Sequence, residues 1–207
     1  MKRVILALTG ASGAILGIRT LELLKEVGVE THLIVSRAAQ QTIPAETDWA
    51  VQAVKALASA CYEPEDIGAR IASGSFLTEG MLVVPCSIKT LSGIANSYAD
   101  NLIVRAADVC LKEGRELILA VRETPLHFGH LELMGQASRA GTIIFPPVPA
   151  FYGRAQTVEE LVSDLVGRIV LRMGIENDHY HQWSGKEGSD PANAEGEGRD
   201  DAADSIQ

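Results

Sequence analysis

The side chains that could do chemistry fall at the ends of apolar runs. Val4 to Leu8 is almost wholly apolar and of strand length, and it breaks into Thr9-Gly10-Ala11-Ser12-Gly13 before an amphipathic stretch opens at Ala14. A strand, a Gly-rich turn and a helix start bring backbone N–H groups and the positive end of a helix dipole to one point. That arrangement predicts a phosphate site, with the Ser12 hydroxyl as a further donor. A second run, Thr31 to Val35, ends in Ser36-Arg37, a hydroxyl and a guanidinium suited to another phosphate contact. A third, Met81 to Val84, leads into Pro85-Cys86-Ser87-Ile88-Lys89-Thr90, and a fourth, Leu117 to Val121, ends in Arg122-Glu123-Thr124-Pro125. Ligands in α/β folds bind at the carboxyl ends of parallel strands, so these loops are expected along one edge of one sheet.

Spacing narrows the ligand. Glycines at 10, 13 and 17 approach the TGxxGxxG turn of dinucleotide reductases, but the third falls one residue late. None of Tyr62, Tyr98, Tyr152 or Tyr180 has a Lys four residues on, and the second strand ends without an acid to hold a ribose diol. The pattern favours a mononucleotide of the FMN kind. Arg105 and Lys112 lie two turns apart along one side of a helix predicted over 101–113, which an ordinary solvated face would also give.

The elements that must position these groups follow from periodicity. Helices are expected over 14–27, stopped by Gly28, over 36–43 with Ser36 as N-cap and Pro44 as breaker, and over 47–60 and 131–138. Thr157 to Glu160 reads as a capping box for a last helix whose apolar face runs from Val158 to Val170. A further short strand is expected over 142–145, and His32, inside the second strand, reads as structural. Alternating strands and helices imply an α/β fold, a parallel sheet with helices on both faces.

At 207 residues and 46% hydrophobic content, the chain suits one domain with a substantial core. The formal charge of −9 is uneven: from Ser184 onward there are seven acids against Lys186 and Arg199. Residues 1–175 are read as the domain and 176–207 as an acidic, disordered tail that orders at most a turn around Tyr180 or Trp183. The charge excludes a nucleic-acid footprint, and no apolar run reaches membrane-spanning length. Cys61, Cys86 and Cys110 show no CxxC pairing, so neither a disulfide framework nor a metal site is suggested, and a cytoplasmic location is expected.

Ser12, Glu46, the Ser73-Gly74-Ser75 turn, Pro85-Cys86-Ser87, the run NLIVRAADVCLKE (101–113), Arg122-Glu123-Thr124-Pro125 and Pro149-Ala150-Phe151-Tyr152 occur in order. In this combination the sequence resembles the UbiX-type flavin prenyltransferases over about residues 2 to 175. The resemblance implies a Rossmann-like three-layer fold, reduced FMN as prenyl acceptor, and dimethylallyl phosphate as donor. It also implies a UbiD-type decarboxylase that receives the prenylated FMN, and a homo-oligomer, dodecameric in the family, with sites shared between subunits. Carried to this chain, it places Gly10, Ala11, Ser12, Ser36 and Arg105 at the flavin phosphate and Ser87, Ile88, Lys89 and Thr90 along the isoalloxazine ring. Lys112, Arg122, Tyr152 and Arg168 would surround the dimethylallyl phosphate, with Glu46, Glu123 and Lys112 catalytic. Where several members carry a Trp before the SGS turn, this chain has Ile67. The alternatives compatible with the residues are an FMN carrier serving a decarboxylase and an FMN-dependent cysteine decarboxylase.

Overall fold

The computed structural model describes residues 2–183 and Gly185. Six parallel strands, β1 (Arg3–Leu8), β2 (Glu30–Val35), β3 (Ala60–Tyr62), β4 (Gly80–Cys86), β5 (Glu116–Val121) and β6 (Ile143–Ile144), form one sheet in the order β3-β2-β1-β4-β5-β6. The helices between them are α1 (Ala14–Glu26), α2 (Ala39–Glu46), α3 (Val51–Lys55), α4 (Ile88–Ala95), α5 (Leu102–Lys112), α6 (Phe128–Arg139) and α7 (Val158–Arg172). This is the expected Rossmann-like α/β architecture, and the order reverses between β1 and β4. A crevice is required there, because the connections from the two strands leave toward opposite sides.

The two-residue period of the strands sorts the core into two layers. Val4, Leu6 and Leu8 face α1 and α7 with Leu82 and Val84, whereas Ile5 and Ala7 face the opposite layer of α4 and α5 with Met81 and Val83. Gly17 makes the first layer close-fitting: a Cβ there would lie 2.4 Å from the Val84 carbonyl oxygen and 2.6 Å from Leu8 Cγ. The third glycine of the turn motif therefore serves helix-to-sheet packing.

Three elements differ from the expectation. α2 runs through Pro44 to Glu46, because the missing N–H costs one hydrogen bond while Thr47 N–H still donates to the Ile43 carbonyl and Ile43 is fully buried. The Ala-rich stretch 47–60 is not one helix but the short α3, followed by β3, which pairs with β2 from His32 to Ile34. α6 begins three residues earlier than the 131–138 predicted. The tail boundary also moves: Asn177 donates to the Gly167 carbonyl and the His181 N–H to Asp164, so the chain from Glu176 to Trp183 folds back on α7. The acidic residues from Lys186 onward, read as a disordered tail, lie outside the described residues. No helix among the described residues is long and apolar enough to cross a membrane.

Candidate active site

The switch point is closed by a side chain that the sequence reading passed over. Thr9, 2% exposed at the end of β1, donates through Oγ1 to the Pro85 carbonyl at 2.7 Å and accepts from the Ser87 N–H at 2.8 Å. It ties the carboxyl ends of β1 and β4 together and fixes where α4 begins. Ser87 then caps α4, accepting from the Thr90 N–H at 3.3 Å, so the helix opens toward the crevice. Across from it, Ser36 Oγ accepts from the Ala39 N–H at 3.0 Å and holds the turn after β2.

Between these two loops lies a groove of about 930 Å³ lined by Thr9, Gly10, Ser36, Ser87, Lys89 and Thr90, together with Asn101, which caps α5, and Val104 within that helix. Its size suits a nucleotide-sized ligand. Gly10 has to be glycine, since a Cβ would sit 2.4 Å from that of Ala38. The ion pair of Arg37 with Glu65 spans the groove's rim. Cys86, beside Ser87, is no nucleophile: complete burial pushes its thiol far above the ordinary range.

The start of α1 is not left open as the turn motif suggested. Glu46 Oε2 accepts from the backbone N–H of Gly13 at 2.8 Å and of Ala14 at 3.0 Å, so the carboxylate occupies the helix terminus. Burial alone would raise this carboxyl. The Ala14 and Gly13 N–H groups, the Ser12 hydroxyl and the Arg122 charge outweigh it and hold the group below the usual carboxylate range. The Ser12 hydroxyl and the Arg122 charge thus both act on Glu46 at the carboxyl edge of the sheet. Arg122 is held there by its own N–H, which donates to the Cys86 carbonyl, and Glu123 accepts from the Thr124 N–H.

The remaining predicted residues stand elsewhere in the chain. Lys112 ends α5 beside the SGS turn and pairs with Glu113. The six residues of β5 separate that end of the sheet from Arg122 by about 20 Å. Arg105, one turn into α5, is engaged by the Ala72 carbonyl at 3.2 Å and by Asp108. Tyr152 and Arg168 form a third group with Tyr180 and Trp183: the two phenol oxygens are 3.0 Å apart and the Tyr152 and Trp183 rings meet edge to face at 5.6 Å. The Tyr180 hydrogen bond, aided by burial, raises the Tyr152 phenol and keeps it protonated. Lys112 and Arg122, expected to surround one phosphate, are therefore not together within a single copy. Ile67 is 63% exposed, three residues after Pro64 on the groove's rim. Thr9 was legible only as a member of the turn, and Tyr180 and Trp183 only as a point where the polar tail could order a turn, with no place at the site.

Comparison with known proteins gives the family. A family model described as Flavoprotein matches residues 1–170. The flavin prenyltransferase UbiX of Escherichia coli K12 is 52% identical over 188 residues, covering 89% of this chain and 100% of that protein. Among solved structures, AnUbiX (PadA1) in complex with FMN and dimethylallyl pyrophosphate has a TM-score of 0.88 at 47% identity, over 89% of this chain and 98% of that one. A dodecameric FMN-dependent Ubix-like decarboxylase from Escherichia coli O157:H7 gives 0.86 at 48% identity, over 88% and 100%. With about half its residues shared along the full length of such a relative, the chain belongs to the UbiX family of flavin prenyltransferases.

Proposed function

We propose that this protein transfers the dimethylallyl group of dimethylallyl phosphate to reduced FMN, and that the prenylated flavin serves a UbiD-type decarboxylase. The observation that carries the reading is a groove of nucleotide size at the switch point, lined by Gly10, Ser36 and Ser87, with Glu46 bound to the start of α1 three residues on from Gly10. The groove fits FMN: it is narrow where Gly10 meets Ala38, and hydroxyls and a helix start face it from both loops. When bound, reduced FMN supplies the nucleophilic N5 and the ring carbon C6 that become bonded to the prenyl group.

The chain's own part is to bind, orient and discharge. Gly10, Ala11, Ser12 and Ser36, with Arg105 from α5, would hold the flavin phosphate, and Ser87 to Thr90 the ring. Arg122, Tyr152, Arg168 and Lys112 would bind the donor phosphate and stabilise its charge as the allylic C–O bond breaks and the phosphate leaves. Glu123, exposed beside Arg122, would handle the protons of ring closure, delivering one to the prenyl alkene and taking the one released from C6, while Glu46 would position or deprotonate the flavin N5.

The location of Lys112 and Arg122 at opposite ends of β5, a strand of about 20 Å, supports a homo-oligomer in which one copy's Lys112 completes another copy's site. We extend the dodecamer of the Escherichia coli O157:H7 relative to this chain on that ground. Unpaired Cys61, Cys86 and Cys110 suit the reducing cytoplasm as the place of action.

The test is anaerobic mixing of the protein with dithionite-reduced FMN and either dimethylallyl phosphate or the pyrophosphate. Prenylated flavin is expected in an amount equal to the released leaving group, phosphate from the first donor or pyrophosphate from the second. FMN bound tightly with neither product would make the protein a flavin carrier instead. Glu123→Gln and Lys112→Ala should keep FMN affinity while suppressing product about a hundredfold or more. Loss of FMN binding in both would show that the two phosphate sites were wrongly separated.

A further inference from the structure

The segment after α7 is fastened to that helix by its own side chains. Asn177 Nδ2 donates to the Gly167 carbonyl at 3.0 Å, and its Oδ1 accepts from the His179 N–H at 3.1 Å. His179 is held in turn by Ser163 at 2.8 Å and faces Glu26 of α1 at 3.3 Å. Gly167 lets the segment cross, since a Cβ there would come within 2.7 Å of the Tyr180 backbone nitrogen and 2.8 Å of the His179 carbonyl carbon. The crossing delivers one side chain, Tyr180, between Tyr152 and Arg168.

We propose that Tyr180 is a positioning residue that sets Tyr152 and Arg168 for a phosphate ester, an inference that rests on those two residues binding the donor phosphate as argued above. Its hydroxyl lies 3.0 Å from that of Tyr152, while its ring stands 5.9 Å from the Arg168 guanidinium carbon. Phe145 approaches the same guanidinium at 5.7 Å, so Arg168 has two aromatic partners for a planar cation. Either hydroxyl can donate across this contact, and when Tyr180 donates, the Tyr152 O–H is free to turn toward an arriving phosphate oxygen. One residue therefore orients two ligands by two different contacts.

The two contacts can be separated. Tyr180→Phe keeps the ring beside Arg168 and removes only the hydroxyl; Tyr180→Leu removes both. The experiment titrates inorganic phosphate into the FMN-loaded protein by calorimetry, for these variants, for Tyr152→Phe alone and for Tyr180→Phe combined with Tyr152→Phe, with FMN affinity and denaturation midpoints measured alongside. Phosphate affinity should fall about three- to tenfold in Tyr180→Phe and further in Tyr180→Leu, with FMN affinity unchanged. In the Tyr152→Phe background the added Tyr180→Phe change should have no further effect, which a merely structural role would not produce. Equal losses in both backgrounds, or none in Tyr180→Phe, would overturn the positioning role alone. Unaltered phosphate affinity in Tyr152→Phe would overturn the phosphate assignment and the inference with it.

Discussion

Glu46 has two possible duties that a pair of substitutions can divide. Its Oε2 accepts from two backbone N–H groups at the start of α1, so part of its value is structural. Glu46→Gln retains a carbonyl oxygen for both N–H groups and removes only the charge. Charge at a helix terminus contributes about 0.3–1 kcal/mol, and this side chain is exposed, so solvent screening puts the loss at the lower end. Glu46→Ala also removes the acceptor, which adds about 1 kcal/mol. If Glu46 handles a proton at the flavin, however, Glu46→Gln should lower the rate by about 10²- to 10⁴-fold. Urea denaturation measures the first quantity and anaerobic formation of prenylated flavin the second. A Glu46→Gln protein that turns over like wild type would refute the proton role and leave Glu46 as a helix cap. The pH dependence has a definite sign: the folded carboxyl is depressed, so its contribution is complete above the ordinary value of about 4.3 and is lost as pH falls through the lower folded value. That slope should be missing in Glu46→Gln.

Thr9→Val leaves the Ser87 N–H without its partner, at a cost of about 1–3 kcal/mol, and should weaken FMN binding because the start of α4 loses its tie to β1; unchanged urea midpoint and FMN affinity would contradict it. His32 is 1% exposed between Tyr62 and Glu30, and burial lowers its folded proton affinity despite the Glu30 carboxylate. The unfolded chain therefore takes the proton first, so stability present above about pH 6.5 should decline below it. Melting curves between neutral and mildly acidic pH should lose that component in His32→Gln; an identical slope in the variant would sink the assignment.

Much of this molecule is local and so can be read along the chain. The apolar runs at Val4, Thr31, Met81 and Leu117 could only be buried strands, and the caps Ser87 and Thr157 accept from the N–H groups three residues on, as their positions imply. Even the capping box is half as drawn: Glu160 reaches back to the Gln156 N–H. Motif order along the chain also disclosed the family, since residue type and sequence are what a family preserves.

What the sequence did not determine is which of these groups meet. Glu46 and Gly13 are far apart along the chain, and their hydrogen bond exists because α2 survives Pro44, whose single missing N–H is outweighed by the burial of Ile43. β3 is legible only from its partner: three residues of Ala60–Tyr62 hold their place by pairing with β2. Lys112 and Arg122 look like one cationic cluster when read as a list, but an intervening strand keeps them at opposite ends of the sheet. Tyr180 lies in a segment polar enough to pass for tail, and is placed by the crossing at Gly167. Sequence determined the elements and the chemistry available at their ends, because those depend on neighbours within a turn or two. Tertiary structure decided the partnerships, because a contact between distant residues depends on the packing of every element between them.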